Sequence, residues 1–496
     1  ETPLKRPSSE FVDSGAAKIS LPYTRRMRRR MFRRLNYCAV RGYAPLCMDT
    51  NDPFTMECAF KQRVLRTLPV PEVGFLEDFR AFVKRYLAAN VPRVRAKPFE
   101  EWLESTSYNT ARKDQLRKAY ADLRGGAPTK HQCSHIDTFG KSEFYMLWKH
   151  LRMINSRSDA FKVWSGPRFK AIEDVVYALS GDIRFIKHTP VPLRPALIRQ
   201  MKVAGQHYLQ TDFTAFESHF TPEFLDVCEC ELYRWCLADD LEAELLCSTL
   251  MGSNRMRTRN GVRACVQGRR MSGDMCTSLG NGFTNMMLAL YLANKRGGKI
   301  HGYVEGDDGI FASSVVLTTE DYAKCGFTIK IEEVPDPCKA SFCGMIFAES
   351  GEIVKDPFKF MQGFGWTQSF VQAGPKIMDE LLRAKALSCV YETPQCPIVG
   401  AFARYALAKT SSVHPRFGTE SARTDGYHPL PDVAHVPAFC PSPDTRELFR
   451  ELFGITVEGQ ICIEGLVMQG RFDEVAQLIP AHPDVLQYTK MYVVVD

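Results

Sequence analysis

Two short apolar stretches, KIHGYV at residues 299–304 and GIFA at 309–312, flank the tetrapeptide Glu305-Gly306-Asp307-Asp308. Runs of that length around a glycine-containing cluster read as two strands joined by a tight turn. Two adjacent carboxylates are thereby held at a hairpin tip. Upstream, HYLQTDF at 207–213 reads as a further apolar strand ending in a carboxylate, Asp212. Thr221-Pro222 follows as an N-cap with proline at the first helical position, and Phe224, Cys228, Leu232 and Trp235 fall near one helical face. Strands tipped with aspartates and interleaved with helices indicate an α+β fold whose chemistry gathers at strand ends.

The remaining segments are mixed in the same way. Residues 98–124 are expected as two helices broken near Tyr108 to Thr110, and 171–179 as a short helix. Asn260-Gly261, between two short stretches of 256–266, is a strong hairpin signal. From Arg269, RRMSGDMCTSLGNGFTNMMLALYLAN reads as a glycine-containing loop leading into a long apolar-faced helix that begins near Asp274. Strands are expected over 327–332 and 340–347, and helices near 377–388, 398–408 and 444–453. No repeat of fixed period is evident, and residues 411–443, rich in Pro, Ser and Gly, read as a loop.

With 496 residues, 45% hydrophobic and 24% charged, the chain has the proportions of a folded protein, not a disordered one. It lacks the run of about 18 apolar residues that a membrane-spanning helix needs. Residues 1–35 carry 10 basic and 3 acidic side chains, which equals the whole net charge of +7. Seven arginines lie in RRMRRRMFRR, residues 25–34, a cluster suited to a phosphate backbone or an anionic membrane surface, and equally to a solvated arm. The 17 cysteines form no C-x-x-C pair and no zinc spacing, which favours buried free thiols in a reduced compartment. The chain begins with Glu and is read as a piece of a longer product, with any anchoring element upstream.

Carboxylates on adjacent strands suit a pair of divalent cations about 4 Å apart, the arrangement that nucleotidyl transfer requires. Magnesium takes a few such oxygens and fills its other positions with phosphate and water. An isolated Gly-Asp-Asp is an ordinary β-turn; its company changes the reading. D-x-x-x-x-E (Asp212 to Glu217), S-G-D-M-x-T-x-x-x-N (Ser272 to Asn281) and G-D-D (Gly306 to Asp308) occur in that order. Thr277 and Asn281, four apart on a helix, can reach one ligand, and a hydroxyl and an amide there suit a ribose 2′-OH. Ser272-Gly273 would form a mobile loop before that helix, glycine allowing backbone conformations closed to other residues.

These segments resemble motifs A, B and C of viral RNA-dependent RNA polymerases, and RRMSGDMCTSLGN is especially similar to the tombusvirus and carmovirus enzymes, with noda- and flavi-like groups as wider relatives. The resemblance implies a closed right-hand polymerase with fingers, a palm built on a ferredoxin-like antiparallel sheet, and a thumb. It implies Asp212, Asp307 and Asp308 as catalytic residues, two Mg²⁺ ions (or Mn²⁺) held at Asp212, Phe213, Asp307 and Asp308, and Ser272, Gly273, Thr277 and Asn281 around the nucleotide. GKSEFYMLWKHLRMINSR, from Gly140, resembles motif F, so Lys141, Lys149, Arg152 and Arg157 are expected on the triphosphate, with Arg152 and Arg157 foremost. GFTIKIEE places Lys330 where motif D supplies a proton to the departing pyrophosphate, and Phe342-Cys343-Gly344 matches the motif E hairpin under the nascent strand. Glu217 departs from the family's usual aspartate, and its extra methylene moves the carboxylate by about 1.5 Å. It is expected to bond the sugar or Asn281.

The organisation implied is a basic N-terminal extension over 1–60, fingers over 61–206, palm over 207–236, a fingers insertion over 237–268, palm over 269–364 and thumb over 365–496. The expected activity is RNA-directed RNA synthesis from NTPs on an RNA template during replication of a positive-strand RNA virus. Other viral replication proteins and a host membrane are the expected partners, in cytoplasmic membrane-associated complexes. The rival from another class is a non-catalytic RNA-binding replication protein, which needs only the basic arm and channel. A reverse transcriptase shares the palm but not this motif B, and a two-metal nuclease needs no ribose-reading pair.

Overall fold

The computed structural model describes residues 18–20, 32–43, 45, 48–50, 52–145, 149–238, 240–417, 436–479 and 494–495. Helices and sheets are mixed throughout, as an α+β fold requires. At the centre lies a five-stranded sheet in the order Ile329–Val334, His207–Phe213, Asp308–Ser313, Ile300–Glu305, Ile183–Phe185. The first four strands pair antiparallel and the last runs parallel to Ile300–Glu305. Leu209, Phe213, Val304, Phe311 and Ile329 point from it into the largest apolar core. There they meet the helix Thr277–Lys295, whose Leu279, Phe283 and Met286–Ala289 are buried.

A second five-stranded sheet runs Lys18–Ser20, Arg263–Gln267, Ser253–Thr258, His135–Gly140, Met153–Arg157. The expected Asn260-Gly261 hairpin joins its second and third strands, with Gly261 at φ 90°. The helix expected over 171–179 is the end of an 18-residue helix, Asp159–Val176, capped by the Ser158 hydroxyl. Gly166 and Pro167 lie inside it and hide its period from the sequence. The helix after Thr221 is capped as expected but breaks at Cys228 into Pro222–Val227 and Glu229–Cys236. The stretch 340–347 is a hairpin, Ser341–Phe342 with Met345–Phe347, not one strand. Cys343 (φ 54°) and Gly344 (φ 71°) turn it through two left-handed residues, the geometry that suits a two-residue hairpin loop.

The C-terminal part is helical: Pro375–Glu392, Val399–Lys409, Pro443–Phe453, Val457–Met468 and Phe472–Leu478. Leu35, Cys38, Val40 and Tyr43 are buried among these helices, and the Trp366 indole donates to the Tyr43 carbonyl. The helix Pro53–Arg63 runs across residue 60, and Phe32, Leu35, Cys38, Val40 and Tyr43 ahead of it are buried. Arg25 to Met31 and residues 418–435, within the expected arm and loop, lie outside the described residues. Among the described residues no helix is long and apolar enough to cross a membrane.

The helix Thr277–Lys295 seats on the central sheet through glycine: a Cβ at Gly282 would stand 2.2 Å from the Phe185 ring. Gly282→Ala is therefore expected to destabilise the fold by about 1–3 kcal/mol despite alanine's better helix propensity, read as a lower denaturant midpoint.

Candidate active site

Backbone register assembles the carboxylates. Asp308 stands opposite Asp212 on one side and opposite Glu305 on the other, while Lys330 stands opposite Asp212 from the far neighbour strand. Gly306, at φ 59°, supplies the left-handed residue that lets the tip turn within four residues. The tip is held from behind by Asn285 of the long helix, fully buried, whose Nδ2 lies 3.4, 3.3 and 3.2 Å from the carbonyls of Gly306, Asp307 and Asp308. The Phe213 side chain packs on Phe216 (4.0 Å between ring centres) inside the core, so only its main chain is available to a ligand.

Burial, then the neighbouring Asp307, raises the Asp212 carboxyl above its ordinary value, against the opposing pull of Lys330, Lys149 and Arg152. Asp308 is pushed up to about 7, again by burial first, then Asp307 and Asp212. Burial opposes the charge on Arg152, but Glu143, Asp307 and Glu217 hold its pKa above the usual arginine value. Lys149, Arg152 and Lys330 thus face the carboxylates, and all three are exposed. Lys141 belongs to the same edge, where its ammonium pairs with Glu143 at 3.1 Å. The Cys343 thiol is raised chiefly by burial and next by Asp308, so the 341–347 hairpin also borders this basin.

Arg157 is placed elsewhere. Its guanidinium is 2% exposed, donates from Nε to Asp274 at 2.8 Å and from Nη1 to the Cys133 carbonyl at 2.6 Å, and so supports the loop before the long helix from below. That helix begins at Thr277, not near Asp274, because residues 271–276 form turns. Thr277 Oγ1 donates to the carbonyls of Asp274 (2.8 Å) and Met271 (3.2 Å). Gly273 is needed for closeness, not for unusual φ: its Cβ would lie 2.7 Å from the Asn155 carbonyl. Ser272 beside it is half-buried. Glu217 pairs with Arg63, Nε to Oε1 at 2.5 Å and Nη2 to Oε2 at 3.3 Å, instead of with Asn281. Asn281 Oδ1 accepts from Arg270 Nε at 2.9 Å.

Sequence reasoning missed Asn285, Arg63, Arg270 and Glu229. Arg270 and Glu229 form a buried ion pair under the loop, with the Tyr233 hydroxyl donating to Glu229 at 2.7 Å. Asn285 had one signal: it lies four residues after Asn281, on the same helical face. Arg63 had none, being 154 residues from its partner.

Asp212, Asp307 and Asp308 are near enough for their charges to raise the proton affinity of Asp212 and Asp308, after burial, and carboxylate oxygens are the donor type that hard divalent cations prefer. Among the described residues, the group of acidic and thiol side chains whose ligand atoms lie close enough together for one metal ion is Asp336, Cys338 and Glu349, not the three aspartates, and both its carboxylates are taken by the Lys202 ammonium.

The central sheet thus brings Asp212, Asp308 and Lys330 into register, with Asp307 at the adjoining turn. Residues 209–355 match the family model described as viral RNA dependent RNA polymerase. The chain is also 24% identical over 430 residues to the RNA-directed RNA polymerase of Carnation mottle virus, covering 82% of this chain and 55% of that protein. On these comparisons the chain is similar to viral RNA-dependent RNA polymerases, the second likeness being to an enzyme of the tombusvirus/carmovirus kind. It spans about half the length of the relative it matches.

A carboxyl whose folded pKa exceeds its unfolded value binds more protons when folded, so its stability cost is absent at low pH and grows until the pH passes the folded value. For Asp308 that window runs from about 4 to about 7. With a chelator present, Asp308→Asn should be more stable than wild type, and its advantage should widen by about 1–2 kcal/mol between pH 5 and pH 8, the figure being reduced for solvent screening. Denaturant titrations at the two pH values measure this.

Proposed function

We propose that the chain is the RNA-directed RNA polymerase of a positive-strand RNA virus, copying an RNA template from NTPs during genome replication. The observation that carries this reading is the strand register that sets Asp308 and Lys330 on either side of Asp212, faced by Lys149 and Arg152. In the right-hand arrangement the central sheet with its long helix is the palm, the sheet with the 253–267 hairpin and the 135–157 strands the fingers, and the C-terminal helices the thumb.

Asp212, Asp307 and Asp308, with the Phe213 carbonyl, would hold two Mg²⁺ ions, for which Mn²⁺ can substitute; when bound, the ions supply Lewis-acid activation of the 3′-hydroxyl and neutralise charge on the leaving pyrophosphate. The chain's own side chains do the rest. Lys149 and Arg152 draw the triphosphate to the basin, the lysine as a compact charge and the arginine as a planar fork. Lys141 adds charge at the rim. Lys330, one strand from Asp212, is placed to give a proton to the pyrophosphate as it leaves. Glu217 and Asn281 read the ribose, and Thr277 and Arg157 hold the Ser272-Gly273 loop against which the nucleotide packs. Fixing these groups before substrate arrives accounts for much of the rate gain. Synthesis is proposed to take place in membrane-associated complexes of the host cytoplasm, with other viral replication proteins.

Incorporation of labelled NTPs on a short RNA with Mg²⁺ tests the reading. Wild type should give template-dependent product, and Asp307→Ala none, while both bind RNA alike. Equal RNA binding with no product from either, with Mn²⁺ and a primer also tried, would favour a non-catalytic RNA-binding replication protein. Lys330→Leu should retain NTP affinity and lose about 10²-fold in kcat, measured by single-turnover extension.

A further inference from the structure

Two arginines stand directly behind the sugar-facing side chains. Arg63 ends the helix Pro53–Arg63, and its fork takes both oxygens of Glu217, in a pair whose side chains are only 22% and 13% exposed. A carboxylate gripped at both oxygens cannot swing, so the extra methylene of glutamate, which would otherwise add a rotatable bond, is restrained at its tip. Arg270 lies between the two readers. Its main-chain N–H donates to the Glu217 carbonyl at 3.0 Å and its Nε–H to Asn281 Oδ1 at 2.9 Å. The rest of its guanidinium is fixed by Glu229 and by the Phe220 ring, 4.2 Å away.

Arginine donates hydrogen bonds and accepts none, so the amide atom turned toward Arg270 must be the oxygen. The Asn281 Nδ2, the other end of that amide on a half-buried side chain, is then a donor without a partner among the described residues. Both Glu217 oxygens accept from Arg63, so the carboxylate presents acceptors on that side of the pair. A hydroxyl is donor and acceptor at once, and a 2′-deoxyribose offers neither at that position.

We infer that Arg63 and Arg270 are positioning residues that give the 2′-OH reader its polarity, Arg270 by fixing the Asn281 amide with its donor unpartnered and Arg63 by restraining the Glu217 carboxylate as acceptor. The inference rests on the polymerase reading above. It also accounts for a chain that carries glutamate where its relatives are expected to carry aspartate: the arginine on the fingers helix holds the longer side chain at its tip.

Single-nucleotide extension with matched NTP and dNTP separates this role from a structural one. Arg63→Ala should lower the NTP-over-dNTP ratio of kcat/KM by about tenfold or more, through a raised KM for NTP with dNTP nearly unchanged, and Arg63→Lys should recover part of it. Arg270 is too deeply paired to remove safely, so its role is tested through Asn281→Asp, which keeps an oxygen toward Arg270 and replaces the unpartnered donor by an acceptor. That variant should fold and bind RNA as wild type does and lose the discrimination. If Arg63→Ala slows both substrates equally and Asn281→Asp leaves the ratio within about twofold, the inference is overturned while the polymerase reading stands. A wild-type chain that incorporates neither substrate overturns both.

Discussion

Everything around the central sheet answers one electrostatic problem, the repulsion among Asp212, Asp307 and Asp308 at the ends of two paired strands. Like charges directly opposite in a sheet destabilise it, and the proton affinity of Asp308 is raised first by burial and then by Asp307 and Asp212. The sheet cannot relax by slipping, because a one-residue shift would turn Leu209, Phe311 and Ile329 out of the core. The tip cannot swing away either, since Asn285 holds three successive carbonyls there. The repulsion is therefore held in a fixed frame, and it is offset by the cations at the rim, Lys330, Lys149 and Arg152.

A second set of charges works in the opposite way. Arg157 with Asp274 and Arg270 with Glu229 are buried and mutually neutralised beneath the loop before the long helix. Burial lowers the Arg270 pKa and raises that of Asp274, so both ions bear a desolvation cost. Removing one member of such a pair typically costs about 3–5 kcal/mol, whereas replacing the pair by apolar groups is often neutral. Stability alone thus does not explain their presence. What they do is join three separate pieces of chain: the Met153–Arg157 strand, the helix Glu229–Cys236 and the loop at 270–276, at a spacing that an apolar contact would not define. Gly280 belongs to the same device, because a Cβ there would stand 2.4 Å from the Glu229 carboxylate.

Legibility in the sequence followed the range over which each interaction acts. The hairpin at 305–308, the Thr221 cap, the Asn260-Gly261 turn and the helices near 99–122 are local, set by residues within a few positions, and the sequence pattern predicts them. The helix Asp159–Val176 is also local, but Gly166 and Pro167 are poor helix residues, tolerated because tertiary packing overrides propensity. The site divides likewise. Its aspartates stand out because strand ends and a turn mark them. Arg157 looks, from its neighbours, like one more phosphate-binding cation, and only the fold reveals that it points inward to Asp274, 117 residues away. The Arg63 grip on Glu217 leaves no local trace at all, since both residues are common surface types in their own segments.

This division has a functional logic. Groups that tolerate no error in placement, the carboxylates and Lys330, sit on adjacent strands whose spacing the backbone ladder dictates. The groups proposed to meet the triphosphate, Lys141, Lys149 and Arg152, lie in the connection between two strands of a different sheet, on long side chains whose rotamers can adjust. The side chains proposed to read the ribose fall between these extremes: Asn281 is on a long helix and Glu217 on a short helical turn, and each is bonded to an arginine from another element. A turn-borne glutamate needs such a clamp more than a helix-borne asparagine does, because its backbone is less constrained. On the proposed reading a long-range ion pair compensates for a less constrained acceptor, and selectivity for the sugar would depend on the helix Pro53–Arg63 staying packed beside Glu217.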